Sequence, residues 1–175
     1  EANNTAVGYN AGYAVTTATH NTLIGALAGD ALTTGASNVA VGYGALTTDD
    51  VGQHNVAIGR DALGSLNIAT AANTYNTAVG SSAGTAMTTA VQNTVIGGLA
   101  GDALQAGSYN TALGYGALSS DTLGNKSVAM GRNTLYSQNF TTATNSFNVA
   151  VGYEAGVYIS TGIQNTLIGG LAGDA

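Results

Sequence analysis

The sequence predicts an all-β fold, a parallel β-solenoid (β-roll) of ten coils, on three observations. A short phrase recurs at near-constant spacing, its interior alternates as a strand does, and the repeat is too short for a pair of helices. The phrase, in essence Asn-Thr/Val-Ala-Val/Ile-Gly, starts at Asn4, Asn21, Asn38, Asn55, Asn76, Asn93, Asn110, Ser127, Asn148 and Asn165. Successive starts lie 17 residues apart except for two intervals of 21, so the larger unit is a 72-residue block of four coils, the fourth lengthened. One continuous array over residues 1–175 follows, with coils beginning near 4, 21, 38, 55, 76, 93, 110, 127, 148 and 165. Both ends fall inside a repeat, which leads us to expect a longer parent fibre.

Taking the coil in order, Asn4-Thr5-Ala6-Val7-Gly8 places Thr5 and Val7 on one face of a strand and Asn4, Ala6 and Gly8 on the other. The fourth position is apolar in every copy, and this column, with Val7, Ile24, Val41 and Ile58 leading it, is the expected core. The second position is Thr or Val, β-branched as a stacked strand favours. The fifth is always Gly, beginning with Gly8, Gly25, Gly42 and Gly59, which implies either positive φ or an approach too close for a Cβ. Three residues further on stands Ala, except for Thr134, and beyond it Gly, Gly, Leu, Leu in rotation: Gly12, Gly29, Leu46, Leu63, then Gly84, Gly101, Leu118, Leu135. Seventeen residues suffice for two strands of about 5 residues with two turns, stacked on the next coil at about 4.8 Å, so ten coils make a rod about 45 Å long. The Asn column would form a ladder of side-chain amides.

Composition narrows function. Nine acids against Arg60, Lys126 and Arg132 give a net charge of −6, unsuited to nucleic acid. With no cysteine there is neither a disulfide nor a thiolate site, and no apolar run reaches the ~20 residues of a spanning helix, so membrane insertion is not expected. His20 and His54 occupy the residue before the repeating Asn, where Ser37, Gln92 and Lys126 also occur, so we read a turn position and expect no catalytic residue, metal or cofactor. No enzyme is expected. Asp30 and Asp102, 72 residues apart, read as solvated turn acids that keep the sheet soluble, as do Asp49 and Asp121; an ion shared between chains is the alternative.

The phrase Asn-Thr-Ala-Val-Gly-Tyr-x-Ala-Gly/Leu with Thr-Thr pairs in the following turn, as over Asn38 to Thr48, resembles the 17-residue repeats of phage tail-fibre and related surface proteins. Val56-Ala57-Ile58-Gly59 is similar to the head repeat of trimeric autotransporter adhesins, which is shorter. The resemblance implies a β-roll packed with two other chains as a parallel homotrimer, extracellular, on a virion or cell surface, serving as a shaft or head segment in host attachment. Thinness supports trimerisation independently, because a roll filled with Ala and Val buries little apolar area at about 25 cal/mol per Å². A self-assembling extracellular filament is the rival reading. An ice-binding solenoid is a minor one, since Thr16-Thr17, Thr33-Thr34, Thr47-Thr48 and Thr88-Thr89 are adjacent pairs that point to opposite faces of a strand.

The lengthened fourth coils carry the remaining signal. An insertion in a solenoid projects as an outside loop, and these two carry Ile68, Tyr75, Tyr136, Phe140 and Phe147 among Asn, Ser and Thr, a mixture suited to stacking on the sugar rings of a cell-surface glycan.

Overall fold

In a computed structural model describing residues 3–174, the chain is a parallel β-solenoid without a helix. Each coil contributes one strand: β1 (Thr5–Val7), β2 (Thr22–Ile24), β3 (Val39–Val41), β4 (Val56–Ile58), β5 (Thr77–Val79), β6 (Thr94–Ile96), β7 (Thr111–Leu113), β9 (Val128–Met130), β11 (Val149–Val151) and β12 (Thr166–Ile168). These ten stack in sequence order as one parallel sheet, every strand pairing with the next in strict register, for example Val39 with Val56 and Val41 with Ile58. Two short strands, β8 (Gly124–Asn125) and β10 (Thr144–Asn145), form a second, two-stranded sheet beside the lengthened coil of the second block.

A coil therefore holds one three-residue strand where the repeat length suggested two longer ones. The backbone explains the difference, because four residues per coil adopt positive φ and each one breaks an extended run. In the third coil and its approach these are Ser37 (φ 59°), Gly42 (133°), Gly44 (63°) and Leu46 (53°). His20 and His54, both at φ 61°, sit at the first of these corners, as expected of a turn position. At Gly42 both readings of the invariant glycine hold, since φ is positive and a Cβ would lie 2.6 Å from the carbonyl oxygen of Gly59 in the next coil. Gly8, Gly25 and Gly59 repeat that conformation and contact.

The expected orientation of the strand is reversed. The third position faces the interior, where Leu23, Ala40, Ala57, Ala78, Val95, Ala112, Ala129 and Ala150 are completely buried. Val7, Ile24 and Ile58 point outward and are exposed, and Val41 is half-buried. The reason is space: an interior closed by three-residue strands and tight turns admits mostly alanine at this position, and the bulkier fourth residue goes to the open side of the sheet. Volume also accounts for the Gly-Gly-Leu-Leu rotation once neighbouring coils are counted: beside third-position Ala6 stands Gly12, where a Cβ would lie 2.7 Å from a methyl of Leu23 in the next coil. In coils with interior Ala40, Ala57, Ala112 or Ala129, a buried Leu46, Leu63, Leu118 or Leu135 fills the gap. Where Leu23 already fills the centre, Gly29 stands instead, because a Cβ there would lie 2.7 Å from a Leu23 methyl. Holding leucine at left-handed φ costs roughly 1 kcal/mol, whereas burying it contributes about 1.5–3 kcal/mol. Packing wins.

The Asn column is a ladder between side chain and main chain. Each Oδ1 accepts from the backbone N–H of the next Asn, as in Asn38 N–H to Asn21 Oδ1 (2.8 Å) and Asn110 N–H to Asn93 Oδ1 (2.8 Å). In most coils Nδ2 donates across the coil to a carbonyl fourteen residues on, as Asn38 does to Gly52 (2.9 Å); Asn55 Nδ2 makes no such bond. Every such Asn from Asn21 to Asn148 is buried, so these bonds satisfy main-chain groups that water does not reach.

Candidate functional site: the outward sheet face and the lengthened coils

Strand alternation presents the second and fourth positions to the outside, and perfect register turns them into two columns running the length of the rod. The fourth column is wholly aliphatic apart from Met130, and its members remain accessible, with Ile24 at 39% and Leu113 at 40% exposure. The second column is Thr5, Thr22, Val39, Val56, Thr77, Thr94, Thr111, Val128, Val149 and Thr166. Neither column carries a charge. A continuous exposed apolar stripe of this extent is characteristic of a surface that packs against another molecule.

Two rims flank the stripe. On one side the left-handed residue before each Asn forms a column in which His54 stacks on Tyr75 (centroids 5.1 Å, planes 13° apart) and Lys126 Nζ lies 5.2 Å from the Phe147 ring centre. On the other side the residue after the strand glycine supplies Tyr9, Tyr43, Tyr115 and Tyr153, with the Arg132 guanidinium 5.6 Å from the Tyr153 ring centre. Arg60, Lys126 and Arg132, the chain's only Lys and Arg residues, all belong to these rims.

The acids divide into two kinds, which corrects the uniform reading as solvated turn residues. Asp30 and Asp102 sit partly accessible at a turn, where each Oδ1 accepts a 2.5 Å bond from the hydroxyl of Thr47 or Ser119 in the next coil. Asp49 and Asp121 are fully buried. They occupy the core column eleven residues after the start of each repeat, filled in other coils by Val15, Leu32, Leu66, Met87, Leu104, Gln138 and Ile159. One carboxylate oxygen of each caps a turn, Asp49 Oδ1 accepting from Gly52 N–H and Asp121 Oδ1 from Gly124 N–H, both at 3.0 Å. An acid in a mostly apolar column, followed three residues later by Gly, was the sequence signal for this role.

The five insert residues do not converge. Ile68 (8% exposed) and Phe140 (6%) turn inward and close the lengthened coils, so neither is available to a ligand. Tyr75, Tyr136 and Phe147 are exposed, Tyr75 and Phe147 on the rim beside the sheet and Tyr136 on a turn near Gly116. What projects from the inserts is residues 69–73 and 141–143, a run of Ala, Thr and Asn. Among the described residues no pocket is present and no group of three His, Asp or Glu side chains is placed to hold a metal. Comparison with protein-family models, curated proteins and solved structures finds no match to the chain.

Proposed function

We propose that this chain is a structural shaft or head segment of an extracellular fibre, of the phage tail-fibre or surface-adhesin kind, in which three parallel copies pack through their outward sheet faces. The observation that carries the reading is the uncharged stripe of the fourth column, ten strands long and spaced at one strand separation. A partner that covers such a surface along its whole length must repeat with the same rise, and a second copy of the chain does so automatically. Closed cyclic assembly then gives each level of the rod the same contact. The buried Asn ladder and alanine interior suit a rigid spacer, and the fibre would hold a host-recognition element while Tyr75, Tyr136 and Phe147 contribute weak contacts to a surface glycan, multiplied by the copy number.

Light scattering tests the assembly: a solution mass of three chains is expected, and a monomer at micromolar concentration refutes it. Rods of fixed length in electron micrographs are expected, whereas indefinite growth would favour a self-assembling filament. For glycan contact, joint substitution of Tyr75, Tyr136 and Phe147 by Ala should weaken cell-surface binding with the trimer intact; unchanged binding removes that role. The outward second column mixes Thr with Val39, Val56, Val128 and Val149, and the fourth column beside it holds no Thr, so no strand presents the two alternate Thr an ice-binding plane requires. The fourth column's mixture of Val, Ile, Leu and Met gives an uneven surface that interdigitates with side chains better than it matches a flat lattice.

A further inference from the structure

The two lengthened coils share a backbone plan and differ in one buried polar cluster. In the second block Asp121 is bonded through both oxygens: Oδ1 accepts from Gly124 and Phe140 N–H, and Oδ2 accepts from Gln138 Nε2 at 2.6 Å. Gln138 Nε2 also lies 2.8 Å from Ser127 Oγ, and its Oε1 accepts from Asn148 Nδ2 at 2.7 Å. One amide thus joins the carboxylate to the residue that takes the Asn place of that coil. Seventy-two residues earlier the same positions hold Asp49, Asn55 and Leu66. Leu66 is fully buried and offers no donor, and Asp49 Oδ2 and Asn55 Nδ2 are both buried without a hydrogen-bond partner. Leaving such groups unpaired destabilises the closed coil, more so when the group is charged.

The insert beside this cluster is also paired over a shorter length. In the second block residues of the insert form β10, a two-residue strand paired with β8, whereas in the first the corresponding contact is the isolated bridge between Gln53 and Asn73. We propose that the cluster of Asp49, Asn55 and Leu66 is a proton-operated joint: with Asp49 neutral the third and fourth coils stay closed, and with Asp49 ionised the insert over 67–74 opens to hydrate its carboxylate and the Asn55 amide.

Burial raises the Asp49 carboxyl above its ordinary value. The main-chain N–H groups of Gly52, Val51 and Ile68 oppose that shift, and the negative charge of Asp50 adds to it. No cation approaches from either flanking coil: Leu32 on one side and Leu66 on the other belong to the same apolar column. The sign follows. A carboxyl whose value is raised in the closed coil favours closure at acid pH, and that contribution is lost as pH rises through the raised value. The joint is closed by acid and loosened towards neutrality.

Hydrogen exchange read by mass spectrometry on the full chain, corrected for intrinsic rates, compares residues 49–76 with 121–148 across this range. Protection over 49–76 is expected to fall about tenfold per pH unit between the solvent and closed-coil values of the carboxyl and then level off, with no such fall over 121–148. Asp49→Asn removes the charge and Leu66→Gln copies the donor of the second block; each should flatten the profile of the first block. The same pH dependence in both segments of the parent, or a slope that persists in the variants, overturns the proposal. If Asp49→Asn does not fold, Leu66→Gln and the parent comparison decide it.

Discussion

Adjacent residues on β6 separate folding from assembly. Val95 is fully buried inside the coil, and Ile96, the next residue, faces outward and is half-buried. Val95→Asp forfeits about 1.5–3 kcal/mol of side-chain burial. It also sets an unpaired carboxylate among Gly101, Leu104 and the neighbouring interior alanines, at a further cost of several kcal/mol. In a solenoid each coil is supported only by its two neighbours, so this loss strikes both interfaces at the sixth coil and should divide the rod there. Ile96→Asp leaves the interior untouched. On a lone chain the new charge stays hydrated and should change stability by about 0.5 kcal/mol or less. In a threefold assembly it brings three carboxylates together, and at ~8 Å with an effective dielectric constant of ~20 each pair repels by about 2 kcal/mol. Circular dichroism melting and light scattering on both variants read the two effects separately. Val95→Asp should lose cooperative melting, whereas Ile96→Asp should keep the β spectrum and fall to the mass of one chain. A Val95→Asp variant with the parent's melting temperature would falsify the inward assignment, and an Ile96→Asp variant that stays trimeric sinks the proposed interface.

Three further outcomes follow from the coil interior. Gly42→Val should be severe, about 3 kcal/mol or more by thermal melting, because it combines strained φ with a Cβ 2.6 Å from the Gly59 carbonyl oxygen. Asn93→Ala strips the buried Asn110 N–H and Gly107 carbonyl of their partners, so a loss of about 2–4 kcal/mol in denaturant unfolding is expected, and a loss under about 0.5 kcal/mol would show the ladder to be dispensable. Leu118→Ala opens a cavity beside interior alanines that cannot expand to fill it, with an expected cost of about 2–5 kcal/mol by the same measurement.

The period, the parallel stacking, the turn at His20 and His54 and the demand for glycine at Gly42 were all legible in the sequence, because each is enforced at ten equivalent places. The buried acids were legible in principle. Reading residues eleven beyond each Asn of the first block gives Val15, Leu32, Asp49 and Leu66, a core column interrupted by one carboxyl, but the neighbouring Asp50 made the pair look like an exposed turn. The inward course of Ile68 and Phe140 was not legible, because within an insert no periodicity says which apolar residue closes the coil and which faces water.

The orientation of the strand was misread for a reason that bears on function. Alternation defines two faces without saying which is inside, and in a single-layer fold the larger apolar residues normally mark the core. Here the interior column is mainly alanine and the outward column Val, Ile, Leu and Met. Sequence reasoning assigns the larger residues to burial, and a lone coil has no room for them inside. The proposed assembly would bury the outward column against another chain, with the alanine column filling the roll and the aliphatic column filling the space between rolls. The rims fit that arrangement, since Arg60, Lys126 and Arg132 lie exposed at the edges of the stripe beside exposed tyrosines, where their charges stay hydrated.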